Sequence, residues 1–161
     1  MICLLPHCGY LSETTRMLAI RRALIARGAH VTVATHGGPH ERLLRQLDVP
    51  YDVVGPPLGD ARAAEMVRNG PGIGPASQSM WTDAEIRQYV SAEAAYFQEK
   101  GVRVAVTGFT LTALLSTRLA GIPLACEHAG AFVPPMWERS LMEAPLVSPV
   151  PFTQWLPRRA R

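Results

Sequence analysis

The sequence predicts an α/β fold in which a parallel sheet is covered by helices on both faces. Three observations carry this. Short apolar runs alternate with amphipathic stretches along most of the chain. The first run, "ICLLP" (2–6), shows no polar alternation, as suits a strand buried on both sides. Glycines stand where the intervening helices should stop, at Gly28, Gly101 and Gly121.

Each element follows in order. Residues 14–27 read as a helix. Leu11, Leu18 and Ile25 recur every seven residues, and Met17, Ile20 and Leu24 fill the adjoining stripe. "HVTVAT" (30–35) is a second strand. "GGPHERLLRQL" is a short helix with Pro39 suited to its first turn. "YDVVG" (51–55) is a third strand, and "DARAAEMVRNG" a short helix. "GPGIGPASQSMW" (70–81) is a long Gly/Pro/Ser loop of the kind that often carries function. The helix after it opens on a capping box, Thr82 with Glu85. "VRVAVTG" (102–108), "FTLTALLSTRLAG" (109–121) and "IPLACEH" (122–128) then give strand, helix and strand. There are no internal repeats. The organisation is one α/β domain over 1–131, followed by an irregular segment, 132–161, holding six prolines from Phe132 onward.

Composition excludes several classes. A length of 161 residues suits one domain with a real core, or half of a larger protein. No run of 18 apolar residues is present to span a membrane, and the start lacks a signal-peptide pattern. The three cysteines, Cys3, Cys8 and Cys126, form no C-x-x-C pair and read as reduced thiols of a cytoplasmic protein. His7 and Cys8 lack a second pair at ligand spacing, so no metal is expected. The net charge of +3 is scattered without interleaved aromatics, which argues against nucleic acid. Only "PRRAR" (157–161) clusters basic residues. Contact of that segment with acidic lipid, at the membrane periphery, is the alternative to a frayed end.

Open parallel sheets bind ligands outside the carboxyl ends of their strands. That rule selects His7 to Thr14, then His36 to Gly38, then Gly108, Phe109 and Thr110, and finally Glu127, His128, Ala129 and Gly130. The first turn, "HCGYLSETT", has one glycine, and the second strand ends in Thr35-His36. Neither suits a nicotinamide dinucleotide. No P-loop and no G-x-S-x-G elbow is present.

Two stretches carry a family resemblance. "GYLSETTRMLAIRRALIARGAHVTVATHGG" resembles the opening of the GT-B glycosyltransferases, closest to their UDP-glycosyltransferase-like members. "VAVTGFTLTALLSTRLAGIPLACEHAG" is similar to the later strand-helix-strand unit of that family. The likeness runs in order over nearly the whole chain. It implies a Rossmann-like acceptor-binding domain, the N-terminal half of a GT-B fold. It also implies inverting transfer of a sugar from a nucleotide-sugar donor to a small-molecule or lipid hydroxyl, with no cofactor or metal.

The resemblance puts Glu13 where the family keeps its catalytic histidine, and Gly108 where it keeps the aspartate that orients that histidine. A histidine base needs such a carboxylate and a glutamate base does not. Glu13 is therefore the first candidate base, taking the acceptor hydroxyl's proton in one step. The competing reading is a helix-start acid, since an acid in the first turn gains about 0.3–1 kcal/mol from the helix dipole whatever its function. His128 is the second candidate base, with structural hydrogen bonding as its plain alternative. Ser12, Thr14, Gly108, Thr110, Met80, Trp81, Glu127 and Phe132 are candidate acceptor contacts, against packing under the loops. Arg16 is expected either to pair with Glu13 or Glu127 or to lie on the solvent face. His36 and His40 read as loop and helix-start residues.

No counterpart of the family's donor-binding segment is seen. The chain is expected to be a fragment of a longer enzyme, or the acceptor half of a two-chain enzyme with a separate donor-domain chain. In either case it is inactive without the donor domain, and apolar surface is expected around Trp137 and Trp155. The alternative function is a non-catalytic small-molecule binding or regulatory module.

Overall fold

In a computed structural model the chain is described over residues 1–69 and 81–127. Those residues form five strands and five helices, with the third and fourth helices in succession. They are β1 (Ile2–Leu4), α1 (Leu11–Ile25), β2 (Val31–Thr35), α2 (Glu41–Gln46), β3 (Asp52–Val53), α3 (Asp60–Asn69), α4 (Asp83–Glu99), β4 (Val104–Thr107), α5 (Ala113–Ala120) and β5 (Leu124–Cys126). The sheet order is β3-β2-β1-β4-β5, and every pair is parallel. This is a Rossmann-like arrangement. The order reverses beside β1, so the crevice between the ends of β1 and β4 is the switch point.

Side chains of β1 alternate between two cores, as the two-residue period of a strand requires. Cys3 and Leu5 enter the core shared with Tyr96, Phe97, Ala105 and Ala113 of α4, β4 and α5. Leu4 enters the opposite core with Val33, Leu44 and Val49, against which Leu18 and Leu24 of α1 also pack. A third cluster joins Leu58, Ala63 and Met66 to Trp81 and Tyr89. β1 is thus covered on both faces, which explains its unbroken apolar run.

The predicted boundaries shift in ways that have causes. Helix α1 begins at Leu11, three residues early, because Tyr10 takes the N-cap position with extended backbone. Its buried stripe is Glu13, Thr14 and Met17; Leu11 and Ile25 are exposed. The seven-residue apolar repeat therefore lies partly off the core face, and a polar pair replaces it. Helix α5 starts only at Ala113, because Gly108–Thr112 turn back over the end of β1. Pro39 precedes α2, and His40 takes its N-cap position. Gly28, Gly101 and Gly121 all adopt left-handed φ, as helix stops should. Thr82 and Glu85 form the capping box at α4.

Pro6 ends the β1 ladder, and threonines from the neighbouring strands and from the β4–α5 turn take over its last carbonyls. Thr107 and Thr110 donate hydroxyls to Leu5 O at 2.7 and 2.8 Å, and Thr35 donates to Pro6 O at 3.0 Å. The turn after β2 crosses close above the turn after β1. A Cβ on Gly38 would stand 2.9 Å from the Cys8 carbonyl, so only glycine allows that approach. These contacts fix the loops at the carboxyl edge of the sheet.

Candidate acceptor site at the switch point

Glu13 sits on the third residue of α1 and reaches across the switch point. Its side chain is 1% exposed. Oε1 accepts from the backbone N–H of Gly108 at 2.8 Å and of Phe109 at 3.1 Å. Oε2 accepts from Arg16 Nη2 at 3.2 Å. Arg16 also brings its Nε within 2.8 Å of Glu127 Oε2, as an ion pair that lacks the alignment of a hydrogen bond. Both expected partners of Arg16 are thus present, and its side chain is still 41% exposed.

Gly108 and Glu13 depend on each other. A Cβ on residue 108 would stand 2.9 Å from Glu13 Cδ and closer still to Oε2. The carboxylate of residue 13 fills the space in which a side chain at 108 would begin. Glu13 stands in the first turn of α1, as the helix-start reading expects, while its carboxylate serves the amides of the β4–α5 turn and no side-chain bond caps α1.

Other expected site residues are used differently. Thr14 is fully buried and donates its hydroxyl to Tyr10 O at 2.9 Å. Thr110 is 3% exposed, with its hydroxyl on Leu5 O and its N–H on Thr107 Oγ1. Ser12 is exposed on the first turn of α1. Glu127 meets Arg16 just past β5. His128, Met80 and Phe132 lie outside the described residues.

Trp81 belongs to a run of rings along the same edge. Tyr10 packs edge-on to Phe109 at 4.7 Å between centroids, and His7 lies 5.3 Å from Tyr10 and 6.0 Å from Phe109. Trp81 stands edge-on to His7 at 6.4 Å and to His36 at 6.2 Å, and His36 stacks on Tyr89 at 4.0 Å. Burial pushes the His7 imidazole down to about 4, so it is uncharged near neutrality. Its Nδ1 accepts from the Gly9 N–H at 3.2 Å, which leaves the hydrogen on Nε2.

Beneath the rings lies a second buried carboxylate. Glu93 Oε1 meets His36 Nε2 at 2.7 Å and accepts from Thr112, while Oε2 accepts from Ser116. His36 is 3% exposed and Glu93 is 0% exposed. His36 lies in the loop after β2, as expected, but it is buried there and joined to α4. Glu93 was not a candidate, although one signal was available. It falls on the apolar stripe of α4 with Tyr89, Tyr96 and Phe97, where an unpaired acid would be costly. Among the described residues no group of three His, Cys, Asp or Glu side chains is arranged to hold a metal ion.

No family model and no curated protein matches this sequence. Among solved structures, the chain is similar to MurG from Acinetobacter baumannii, with a TM-score of 0.53 and 19% identity. That likeness covers 79% of this chain and 35% of the MurG chain, so this sequence spans about a third of the length of its structural neighbour. The likeness is one of fold, and the parallel sheet with its helices is that of a GT-B-like half.

Proposed function

We propose that this chain is the acceptor-side part of an inverting glycosyltransferase, active only together with a donor-binding domain. The observation that carries the proposal is a buried carboxylate anchored at the switch point of the sheet, beside a run of aromatic rings. The fold likeness to MurG supports the general class. An acceptor rests against Phe109, Tyr10 and Trp81. A nucleotide sugar is presented by the second domain, carried on the same polypeptide or on another. Glu13 is the proposed base. It takes the acceptor hydroxyl's proton as that oxygen bonds to the anomeric carbon and the nucleotide leaves with its electron pair. No metal or cofactor enters this proposal.

A second reading is a binding module without catalysis. It is favoured by the partners of Glu13, whose two oxygens already accept from two amides and one guanidinium. A base must reach the proton it abstracts, and here Oε2 has to exchange Arg16 for the acceptor hydroxyl.

The deciding experiment mixes this chain with a donor-type domain, a panel of nucleotide sugars and a panel of hydroxyl acceptors. Transfer that falls about 10²- to 10⁴-fold in Glu13→Gln supports the base assignment. Transfer that survives Glu13→Gln unchanged leaves the domain reading standing and removes the base. Absence of transfer and of donor binding throughout favours the binding module.

A further inference from the structure

Among the described residues, His7 is a buried donor without a partner. Its side chain is 3% exposed, and Nε2 has no hydrogen-bond acceptor there. The Gly9 amide occupies Nδ1, so Nε2 carries the hydrogen. Leaving a buried donor unsatisfied is costly, and such groups in folded proteins need an explanation. The neighbouring Tyr10 hydroxyl is also buried and unpartnered. Phe109 and Tyr10 are only half-buried, so this end of the ring cluster is the one open to solvent.

The chemistry around Nε2 limits what it can hold. Three rings surround His7, and all are packed at tilted or edge-on angles that suit a further planar ring. The guanidinium at the switch point, Arg16, is already committed to Glu13 and Glu127, so among the described residues it offers an anion no free charge. The donor is uncharged at neutral pH because burial holds the imidazole well below its usual range. A hydrogen bond given to an oxygen also draws electron density from it, so the oxygen held by His7 is not the one that attacks.

We propose that His7 Nε2–H holds a non-reacting, uncharged oxygen of a planar aromatic ligand that packs on Phe109, Tyr10 and Trp81. This rests on the acceptor-site reading above and narrows the acceptor to neutral aromatics carrying a second oxygen. His7 is then a positioning and specificity residue, distinct from the base.

The test needs no sugar donor. Three probes of similar size are titrated into the full chain by calorimetry: 2-acetylnaphthalene, 2-isopropylnaphthalene and 2-naphthoate. The ketone cannot donate, so any preference for it reports a donor on the protein. We expect the ketone to bind about three- to tenfold tighter than the hydrocarbon, the worth of one neutral hydrogen bond. It should also bind tighter than the carboxylate. His7→Phe should erase the preference over the hydrocarbon, and Tyr10→Phe should keep it. Equal binding of ketone and hydrocarbon overturns the proposal, as does tighter binding of the carboxylate, absence of binding, or loss of preference only in Tyr10→Phe. Should His7→Phe fail to fold, ¹⁵N-labelled imidazole signals of the unmodified chain serve instead. The His7 Nε2–H proton should move downfield with the ketone and not with the hydrocarbon, and an equal response overturns the idea. Ketone selectivity without sugar transfer would sink only the glycosyltransferase reading. Transfer without ketone selectivity would sink only this one.

Discussion

Glu13 and Glu93 are both fully buried carboxylates near the carboxyl edge of the same sheet, and they are satisfied in different ways. Glu93 draws on side chains alone: the His36 ring and the hydroxyls of Thr112 and Ser116. It ties the end of β2 and the start of α5 to α4, beneath the ring cluster. Glu13 draws on two backbone amides and one arginine that is itself partly exposed. It holds a turn at the switch point and keeps a path to solvent through Arg16. The comparison teaches that burial alone does not mark a functional acid. The position of its partners relative to the ligand edge separates a packing node from a candidate site.

The strongest way to break the comparison is at Glu93. Glu93→Ala strands one imidazole nitrogen and two hydroxyls in the core, and should cost about 3–5 kcal/mol. Urea unfolding measures this, and a loss below about 1 kcal/mol would show that the network is not a node.

The next effect is on pH dependence at the ring cluster. His7 is lowered in the folded state from 6.5 to about 4. The unfolded chain therefore binds the extra proton first as pH falls. Stability from this group is complete above about pH 6.5 and is lost progressively down to about pH 4, by roughly 3 kcal/mol in all. His7→Phe should flatten that part of a stability–pH curve; an unchanged slope would put the titration elsewhere.

A smaller effect sharpens the Glu13 side. Gly108→Ala should cost about 2 kcal/mol, because the new Cβ displaces a carboxylate that two amides hold. In a Glu13→Ala background the same substitution should cost much less, since the space is then vacant. A double-mutant cycle reads this coupling, and additive costs would show that the two positions are independent. The smallest effect is expected at Arg16. Arg16→Ala should cost about 1 kcal/mol or less, because this guanidinium is 41% exposed and its ion pairs are screened by water. The loss should shrink further at high salt.

Legibility in the sequence followed the range of the interactions. Short apolar runs announced the five described strands, most plainly β1, which is buried on both faces and apolar throughout. The helix stops at Gly28, Gly101 and Gly121 and the capping box at Thr82 were equally readable, since each is decided within a few residues. Helix α1 shows the limit. Met17 is buried and Leu18, Ile20 and Leu24 pack against the core as the apolar stripe expects, but the buried face also carries Glu13 and Thr14, because those polar groups find partners across the switch point and at Tyr10.

The sequence by itself determined the fold class, the order of its elements and the edge at which ligands are expected. It also placed Glu13 and Gly108 side by side as two departures from one family pattern. Only the tertiary structure decided that these residues, 95 positions apart, occupy one space, and that His36 and Glu93, 57 apart, form one network. The physical reason is the same in both cases. A buried polar group is tolerable only with its partners, and strand order brings those partners from distant parts of the chain.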